Sequence, residues 1–149
     1  MNNTNYNCTF TVKNTPQEVS DNICKVNEWW GNAEGSTTKL NDEFIYRVGT
    51  TWVAFRITEM TTGKRIVWQV TDCELPWLKD HKEWKGTKVV FDISPVKDGT
   101  QLSMTHEGLT PQVECYENCK IGWNHYAGNS LKNLITTGKG ILEKPKEKQ

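Results

Sequence analysis

Residues 113–134 read VECYENCKIGWNHYAGNSLKNL, and apolar side chains recur through this stretch at helical spacing. The recurring positions are Val113, Tyr116, Cys119, Trp123, Ala127, Leu131 and Leu134. They predict one long helix of about 25 residues that begins after Pro111 and ends near Gly138 and Gly140. A helix with a single apolar stripe must bury that stripe against another layer of structure.

The layer that precedes this helix along the chain is predicted to be a β-sheet. Short alternating runs, separated by turn residues such as Gly49, Gly63 and Gly99, fill residues 35–107. The predicted strands are Cys8–Val12, Ser36–Leu40, Glu43–Val48, Thr51–Met60, Arg65–Cys73, Thr87–Ser94 and Gln101–Glu107. No helix among them is long enough for a parallel crossover, so the sheet is predicted to be antiparallel. The stretch Glu74–Gly86 is longer than a tight turn and is predicted to be a mobile or partly ordered loop.

Two short helices are predicted between the first strand and the rest of the sheet. Thr15, Pro16 and Glu18 have the spacing of a capping box with proline at the first helical position, which predicts a helix over Pro16–Lys25. A second helix is predicted over Asn27–Gly31. The fold class is therefore predicted to be α+β, with a curved sheet of about seven strands wrapped around the C-terminal helix.

Length and charge set the broad class of the protein. We expect residues 1–140 to form a single domain and residues 141–149 to form a charged, disordered tail. The 18 basic and 18 acidic side chains cancel, so no general field attracts nucleic acid. The N-terminal residues lack the pattern of an export signal, and no run is long enough for a membrane span, so a cytoplasmic protein is predicted.

The sequence contains no familiar catalytic or metal-binding motif, so no cofactor and no metal is predicted. Its five cysteines are predicted to be free thiols. Cys115 and Cys119 share one helical face, which leaves open either a metal or redox pair or two packed small hydrophobic side chains.

Several segments resemble the SRPBCC superfamily, which includes START-like lipid-transfer domains and the birch-pollen allergen and has the helix-grip fold. The segments are Thr15-Pro16-Gln17-Glu18-Val19, Trp29-Trp30, Val89-Val90-Phe91-Asp92-Ile93 with Gly99-Thr100-Gln101-Leu102, Thr105-His106-Glu107-Gly108-Leu109, Gly122-Trp123 and Ser130-Leu131-Lys132-Asn133-Leu134. Within it, the chain is most similar to the branch homologous to the activator of heat-shock-protein ATPase, over about residues 6–140. The resemblance implies a cavity between the sheet and the C-terminal helix, and it implies no particular catalytic residue.

Aromatic side chains dominate the candidate cavity wall. There are seven tryptophans, and several should converge between the sheet and the long helix. The candidate lining residues are Trp30, Trp52, Arg56, Trp68, Phe91, Met104, His106, Trp123, Tyr126 and Ala127. The alternative is that these side chains simply fill the core.

Two polar residues among the candidates allow opposite interpretations. His106 lies on the apolar face of its strand, where it could bind a ligand or transfer a proton, or be a buried histidine with satisfied hydrogen bonds. Arg56 shares a face with Trp52; toward the cavity it would select an anionic ligand, and on the outer face it would be a solvated strand residue.

Three hypotheses for function follow. The leading one is binding of a small hydrophobic or aromatic ligand, with Glu74–Gly86 as a lid. The second is an enzyme of cyclase or hydrolase type that uses His106 in the same cavity. The third is a protein-interaction module whose partner is a heat-shock chaperone and which uses the outer face of the sheet. The oligomeric state is expected to be monomer or homodimer.

Overall fold

The computed structural model describes residues 4–143, which contain seven strands, four α-helices and one π-helical segment. The strands are β1 (Tyr6–Val12), β2 (Ala33–Gly35), β3 (Glu43–Val48), β4 (Thr51–Thr61), β5 (Arg65–Glu74), β6 (Lys88–Val96) and β7 (Gly99–Glu107). The helices are α1 (Pro16–Ile23), α2 (Val26–Trp29), α3 (Tyr116–Trp123), the π-helical segment (Asn124–Leu131) and α4 (Lys132–Thr137).

The seven strands form one antiparallel sheet in the order β1-β7-β6-β5-β4-β3-β2. The first strand therefore lies beside the last, with Tyr6 opposite His106 and Val12 opposite Thr100. The C-terminal helices cross the inner face of this sheet, where Gly128 lies against the thiol of Cys8. The predicted α+β helix-grip fold is confirmed.

Helix α1 begins where its sequence predicts. Thr15 accepts a hydrogen bond from the Glu18 N–H, and the Glu18 carboxylate accepts one from the Thr15 N–H, so both halves of the capping box form. Val19 and Ile23 lie on its buried face. The helix ends at Ile23, two residues earlier than predicted, and α2 follows.

The predicted strand Ser36–Leu40 is wrong. The second strand is Ala33–Gly35, and the residues after it form a turn. One carboxylate oxygen of Asp42 accepts hydrogen bonds from the backbone N–H groups of Thr38 and Lys39. A strand at this position would offer those donors to a neighbouring strand, so the side chain of Asp42 favours the turn.

The C-terminal helix starts at Tyr116, later than expected, and its middle is π-helical. Its buried side chains include Cys119, Trp123, Ala127, Leu131 and Ile135, each four residues after the one before. In a regular α-helix, the first and last of these would point about 160° apart, because each step of four residues overshoots a full turn by about 40°. The wider π turns compensate for this drift and keep the five side chains on the sheet.

The end of the described chain folds back along this helix. The backbone N–H of Ile141 donates to the Ser130 hydroxyl, and the Glu143 carbonyl contacts His125 Nε2. Of the predicted tail, residues 144–149 lie outside the described residues. Between residues 4 and 143, no helix combines the length and the apolar character that crossing a bilayer requires.

Candidate functional site

A pocket of about 550 Å³ opens at one end of the sheet, between the β3–β4 hairpin, the loop after β5 and helix α3. Its described lining residues are Trp30, Tyr46, Val48, Thr51, Val53, Leu75, Trp77, Trp84, Asn118, Cys119, Gly122, Trp123 and Tyr126. None of them is an acidic, basic or histidine residue. The site is therefore a mostly apolar pocket with a few neutral polar groups, the usual composition of a small-molecule site.

Stacked aromatic rings form two walls of the pocket. Trp30, which ends α2, stacks on Tyr46 of β3 with ring centroids 4.0 Å apart and 12° between the planes. Trp84 from the loop stacks on Trp123 of α3 at 6.1 Å and 11°. Trp30 and Trp123 also contact each other at 4.9 Å, which joins the two stacks. The pocket therefore has a largely aromatic wall, which suits a flat or apolar ligand.

The region beneath the pocket is filled by side chains. Trp68 packs edge-on against Phe91 at 4.8 Å and against Phe55 at 5.4 Å, and it stacks on Trp29 at 6.1 Å. Met104 and Ala127 are likewise buried in this core. The predicted lining residues Trp68, Phe91 and Met104 are thus buried in the core and do not line this pocket.

His106 lies at the centre of a directed chain of hydrogen bonds. Its Nδ1 accepts from the Trp123 indole N–H at 3.1 Å, so the proton of the neutral ring is on Nε2, which donates to the Thr87 hydroxyl at 2.8 Å. That hydroxyl donates in turn to the Trp84 carbonyl. The ring is fully buried, and burial lowers the pKa of His106 to about 3. This arrangement favours the structural interpretation of His106, because both nitrogens are engaged and the ring does not reach the pocket.

The loop between β5 and β6 is attached to the start of α3. The two carboxylate oxygens of Glu83 accept hydrogen bonds from the backbone N–H groups of Glu114 and Cys115, both at 3.1 Å. The Trp84 indole N–H donates to the Cys115 thiol at 3.3 Å. These bonds place Leu75, Trp77 and Trp84 at the pocket. The loop that was expected to be mobile or partly ordered thus forms one side of the site.

Cys115 and Cys119 are both buried, and neither forms a disulfide. A hydrogen bond that the Cys119 thiol donates to Cys115, together with burial, raises the pKa of the Cys119 thiol, so it stays protonated at neutral pH. Within residues 4–143, no group of three or more histidine, cysteine or acidic side chains is placed to hold a metal ion. The pair is thus packed as small hydrophobic side chains with one weak hydrogen-bonding role.

The structure divides the predicted site residues into three groups. Trp30, Trp123 and Tyr126 line the pocket. Trp68, Phe91, Met104, His106 and Ala127 are buried in the core beneath it. Trp52 and Arg56 lie on the outer face of the sheet.

The placement of Trp52 and Arg56 in the cavity is therefore wrong. On β4 the buried positions are Val53, Phe55 and Ile57, so the alternate positions point outward. The Trp52 ring lies 5.3 Å from the ammonium of Lys82, and Arg56 is exposed. Arg56 is the solvated strand residue of the alternative interpretation.

Sequence reasoning missed most of the polar lining. Asn118 and Gly122 were missed, although they precede the predicted Tyr126 by eight and four residues on the C-terminal helix, and that spacing could have identified them. Tyr46 shares an inward face with Phe44, which alternation alone would have indicated. Trp77 and Trp84 were assigned to the lid and not to the wall.

Solved structures with the same fold are numerous, at low sequence identity. The Aha1 dimer from Colwellia psychrerythraea is 21% identical with a TM-score of 0.73, and the match covers 92% of this chain and 99% of that chain. Protein CV1439 from Chromobacterium violaceum is 15% identical with a TM-score of 0.69, covering 87% and 95%. CalU16 from Micromonospora echinospora is 13% identical with a TM-score of 0.61, covering 88% and 74%. No curated protein matches the sequence.

The sequence also matches a family model over residues 24–136, a range that runs from the end of α1 into α4. That range contains all the described residues that line the pocket. The model describes the Activator of Hsp90 ATPase homolog 1-like proteins, and this chain belongs to that family.

Proposed function

We propose that this protein binds a small hydrophobic or aromatic molecule in the pocket beside Trp30 and Trp123. The observation that carries the proposal is a pocket of about 550 Å³ whose wall includes two aromatic stacks. Burial of apolar ligand surface against these rings supplies the affinity, since each square ångström contributes about 25 cal/mol.

The route into the pocket passes the loop after β5. Trp77 stands at this rim with 48% of its surface exposed, which is unusual for so large an apolar side chain. Val48, on the opposite rim, is also exposed. A ligand that covers both side chains would remove them from water.

Gly122 offers a direct test, because it lines the pocket from within α3 and a Cβ there would meet no atom within 4 Å. Gly122→Phe places a ring in the pocket, and Gly122→Ala is its matched control. Both replace a glycine inside a helix and gain about 1 kcal/mol of helix propensity or somewhat less. Only the phenylalanine occupies the volume of a ligand.

The measurement is a titration of tryptophan fluorescence with fatty acids, sterols and flat aromatic compounds, using purified protein. We expect saturable binding of at least one class to the wild type and to Gly122→Ala, and affinity at least about tenfold weaker for Gly122→Phe. No saturable response from any class, or equal affinity of the two variants, would refute the proposal.

Binding to a heat-shock chaperone is the second candidate, and the family assignment favours it. The outer sheet face presents Trp52 beside the exposed Lys82 and Arg56, a combination of aromatic and charged groups that is common in protein interfaces. Retention of the protein on an immobilised heat-shock chaperone, and its loss in Trp52→Ala, would support this role. No retention at micromolar concentration would contradict it.

The pocket supports the enzyme hypothesis less well. Its described lining has no carboxylate or imidazole to act as general acid or base, and His106 is sealed beneath it. The homodimer is a further proposal, supported by the dimeric state named for the Colwellia structure. Light scattering after size exclusion would measure it directly.

A further inference from the structure

Three of the seven indole N–H groups donate to atoms of the described residues. Trp29 donates to the Ile23 carbonyl at 3.0 Å, Trp84 to the Cys115 thiol, and Trp123 to His106 Nδ1. Trp30 is different, because its indole N–H donates to no atom of the described residues. The N–H groups of Trp52, Trp68 and Trp77 also lack a described acceptor. Trp52 and Trp68 do not line the pocket, and Trp77 lies at its rim with 48% of its surface exposed, so Trp30 is the buried one of the two tryptophans of the pocket with a free N–H.

From its burial and its place in the pocket wall, we infer that the free N–H of Trp30 faces the pocket. Only 6% of the surface of Trp30 is exposed. Among residues 4–143, no fully buried side-chain nitrogen or oxygen lacks a hydrogen-bond partner, so Nε1 must lie on that small exposed part. Since Trp30 lines the pocket, its donor is available to whatever occupies it. An indole nitrogen can donate a hydrogen bond and cannot accept one, which restricts the possible partner to an acceptor.

Two phenol groups line the same pocket. Tyr46 stacks on Trp30, and the neighbouring Tyr126 contributes to raising the pKa of Tyr46. Neither hydroxyl is hydrogen-bonded to a described residue, and both tyrosines line the pocket. Burial raises the pKa of Tyr46 to about 12 and also raises the pKa of Tyr126, so both remain neutral donors.

The charge of the pocket decides which acceptor fits. A carboxylate or phosphate would enter a low-dielectric pocket whose described lining contains no cation, and an unpaired buried charge is strongly disfavoured. A neutral carbonyl oxygen has no such penalty and can accept two hydrogen bonds. A ligand without any acceptor would displace water from Trp30 Nε1 and leave that donor unpaired.

We propose that the Trp30 indole N–H selects flat aromatic ligands that carry a ring ketone, with the oxygen bound by this donor and by the hydroxyl of Tyr46, which stacks on Trp30. The inference rests on the proposed ligand-binding function and specifies its ligand class. Trp30 then acts as a specificity-determining residue as well as a stacking surface.

The test compares two molecules of nearly the same shape, 9-fluorenone and fluorene, which differ by the ketone oxygen. Their dissociation constants for the wild-type protein are measured by quenching of tryptophan fluorescence. We expect fluorenone to bind about tenfold more tightly, the factor expected for one good hydrogen bond that would otherwise leave a buried donor unpaired. In Trp30→Phe, which keeps an aromatic ring and removes the N–H, the two constants should become equal within about twofold.

Two further variants make the outcome decisive. Trp52→Phe removes an indole from the outer sheet face and should keep the tenfold preference. Tyr46→Phe keeps the ring that stacks on Trp30, removes the second donor and should reduce the preference, which tests the site even if Trp30→Phe does not fold. Circular dichroism reports whether each variant is folded.

The possible results separate this inference from the proposed function. Equal binding of both compounds to the wild type overturns the ketone selectivity and leaves ligand binding intact. An unchanged preference in folded Trp30→Phe overturns the role assigned to Trp30. Binding of neither compound overturns the ketone class, and the fatty-acid and sterol titrations then decide whether the pocket binds ligands at all.

Discussion

His106 is expected to make this protein unusually sensitive to acid. Its ring is fully buried, both nitrogens are hydrogen-bonded, and the pKa of about 3 means that it stays neutral while the protein is folded. In the unfolded chain the same side chain is exposed to water and has a pKa of about 6.5. Between these two values the unfolded state binds a proton that the folded state does not.

The sign and the size of the effect follow from this difference. Because the folded-state pKa is the lower one, the contribution of His106 to stability is complete above pH 6.5 and decreases as the pH falls. The free energy of unfolding loses about 1.4 kcal/mol for each pH unit below 6.5 until the folded-state pKa is reached. At pH 4.5 the loss is about 3 kcal/mol, a large part of the 5–15 kcal/mol that typically stabilises a domain.

Urea unfolding at pH 4.5, 5.5, 6.5 and 7.5 measures this dependence. The wild type also contains carboxylates that lose favourable contacts in acid, so the informative quantity is the difference between the wild type and His106→Gln. The variant should be less stable at pH 7.5, because glutamine cannot reproduce both hydrogen bonds, but its stability should fall by about 3 kcal/mol less between pH 6.5 and 4.5.

His81→Gln is the matched control, because His81 is an exposed histidine that contacts Glu74 on the surface. It shows whether the loss of any histidine has the same effect. Equal pH dependence in the wild type and His106→Gln would refute the argument and would mean that His106 is protonated in the folded protein.

Two further predictions concern stability. In Gly140→Ala, the new methyl group overlaps the backbone carbonyl of Glu28. We expect the free energy of unfolding to fall by about 1–3 kcal/mol, which lowers the Tm by at least about 2 °C. The Tm of the control variant Lys139→Ala should equal that of the wild type. Glu83→Gln neutralises the carboxylate that accepts hydrogen bonds from two N–H groups at the start of α3. The free energy of unfolding in urea should fall by about 1 kcal/mol, and the loss should be smaller in 1 M salt. Unchanged stability would contradict the proposed attachment of the loop.

The elements that the sequence predicts well are those that local chemistry determines. The capping box of Thr15 and Glu18 forms because both partners lie within one turn of helix. The β6–β7 hairpin forms because Asp98 adopts a positive φ of 65° beside Gly99, which closes a tight turn. Neither feature depends on a distant part of the chain.

The errors concern features that distant contacts determine. At Gly35 a Cβ would overlap the Glu43 carbonyl oxygen, so the short second strand depends on a neighbour that local sequence does not reveal. Alternation correctly groups Trp52 with Arg56, but which face turns inward depends on the whole sheet. Whether aromatic side chains line a space or fill it depends on the sum of their volumes: Trp68 is packed on all sides, whereas Trp30 retains one open edge.

The π-helical segment separates the two ends of the C-terminal helix, so the direction of the side chains at one end can change without a change at the other. Trp123 before it forms a pocket wall, while Leu134 and Ile135 after it pack in the core. A change of one residue in the length of the segment would rotate one end by about 100° relative to the other. The length of the segment thus sets the rotation of the pocket-lining part of the helix relative to the part that packs in the core. A change in the length of this segment would therefore present different side chains to the pocket while the sheet and its packing stay the same.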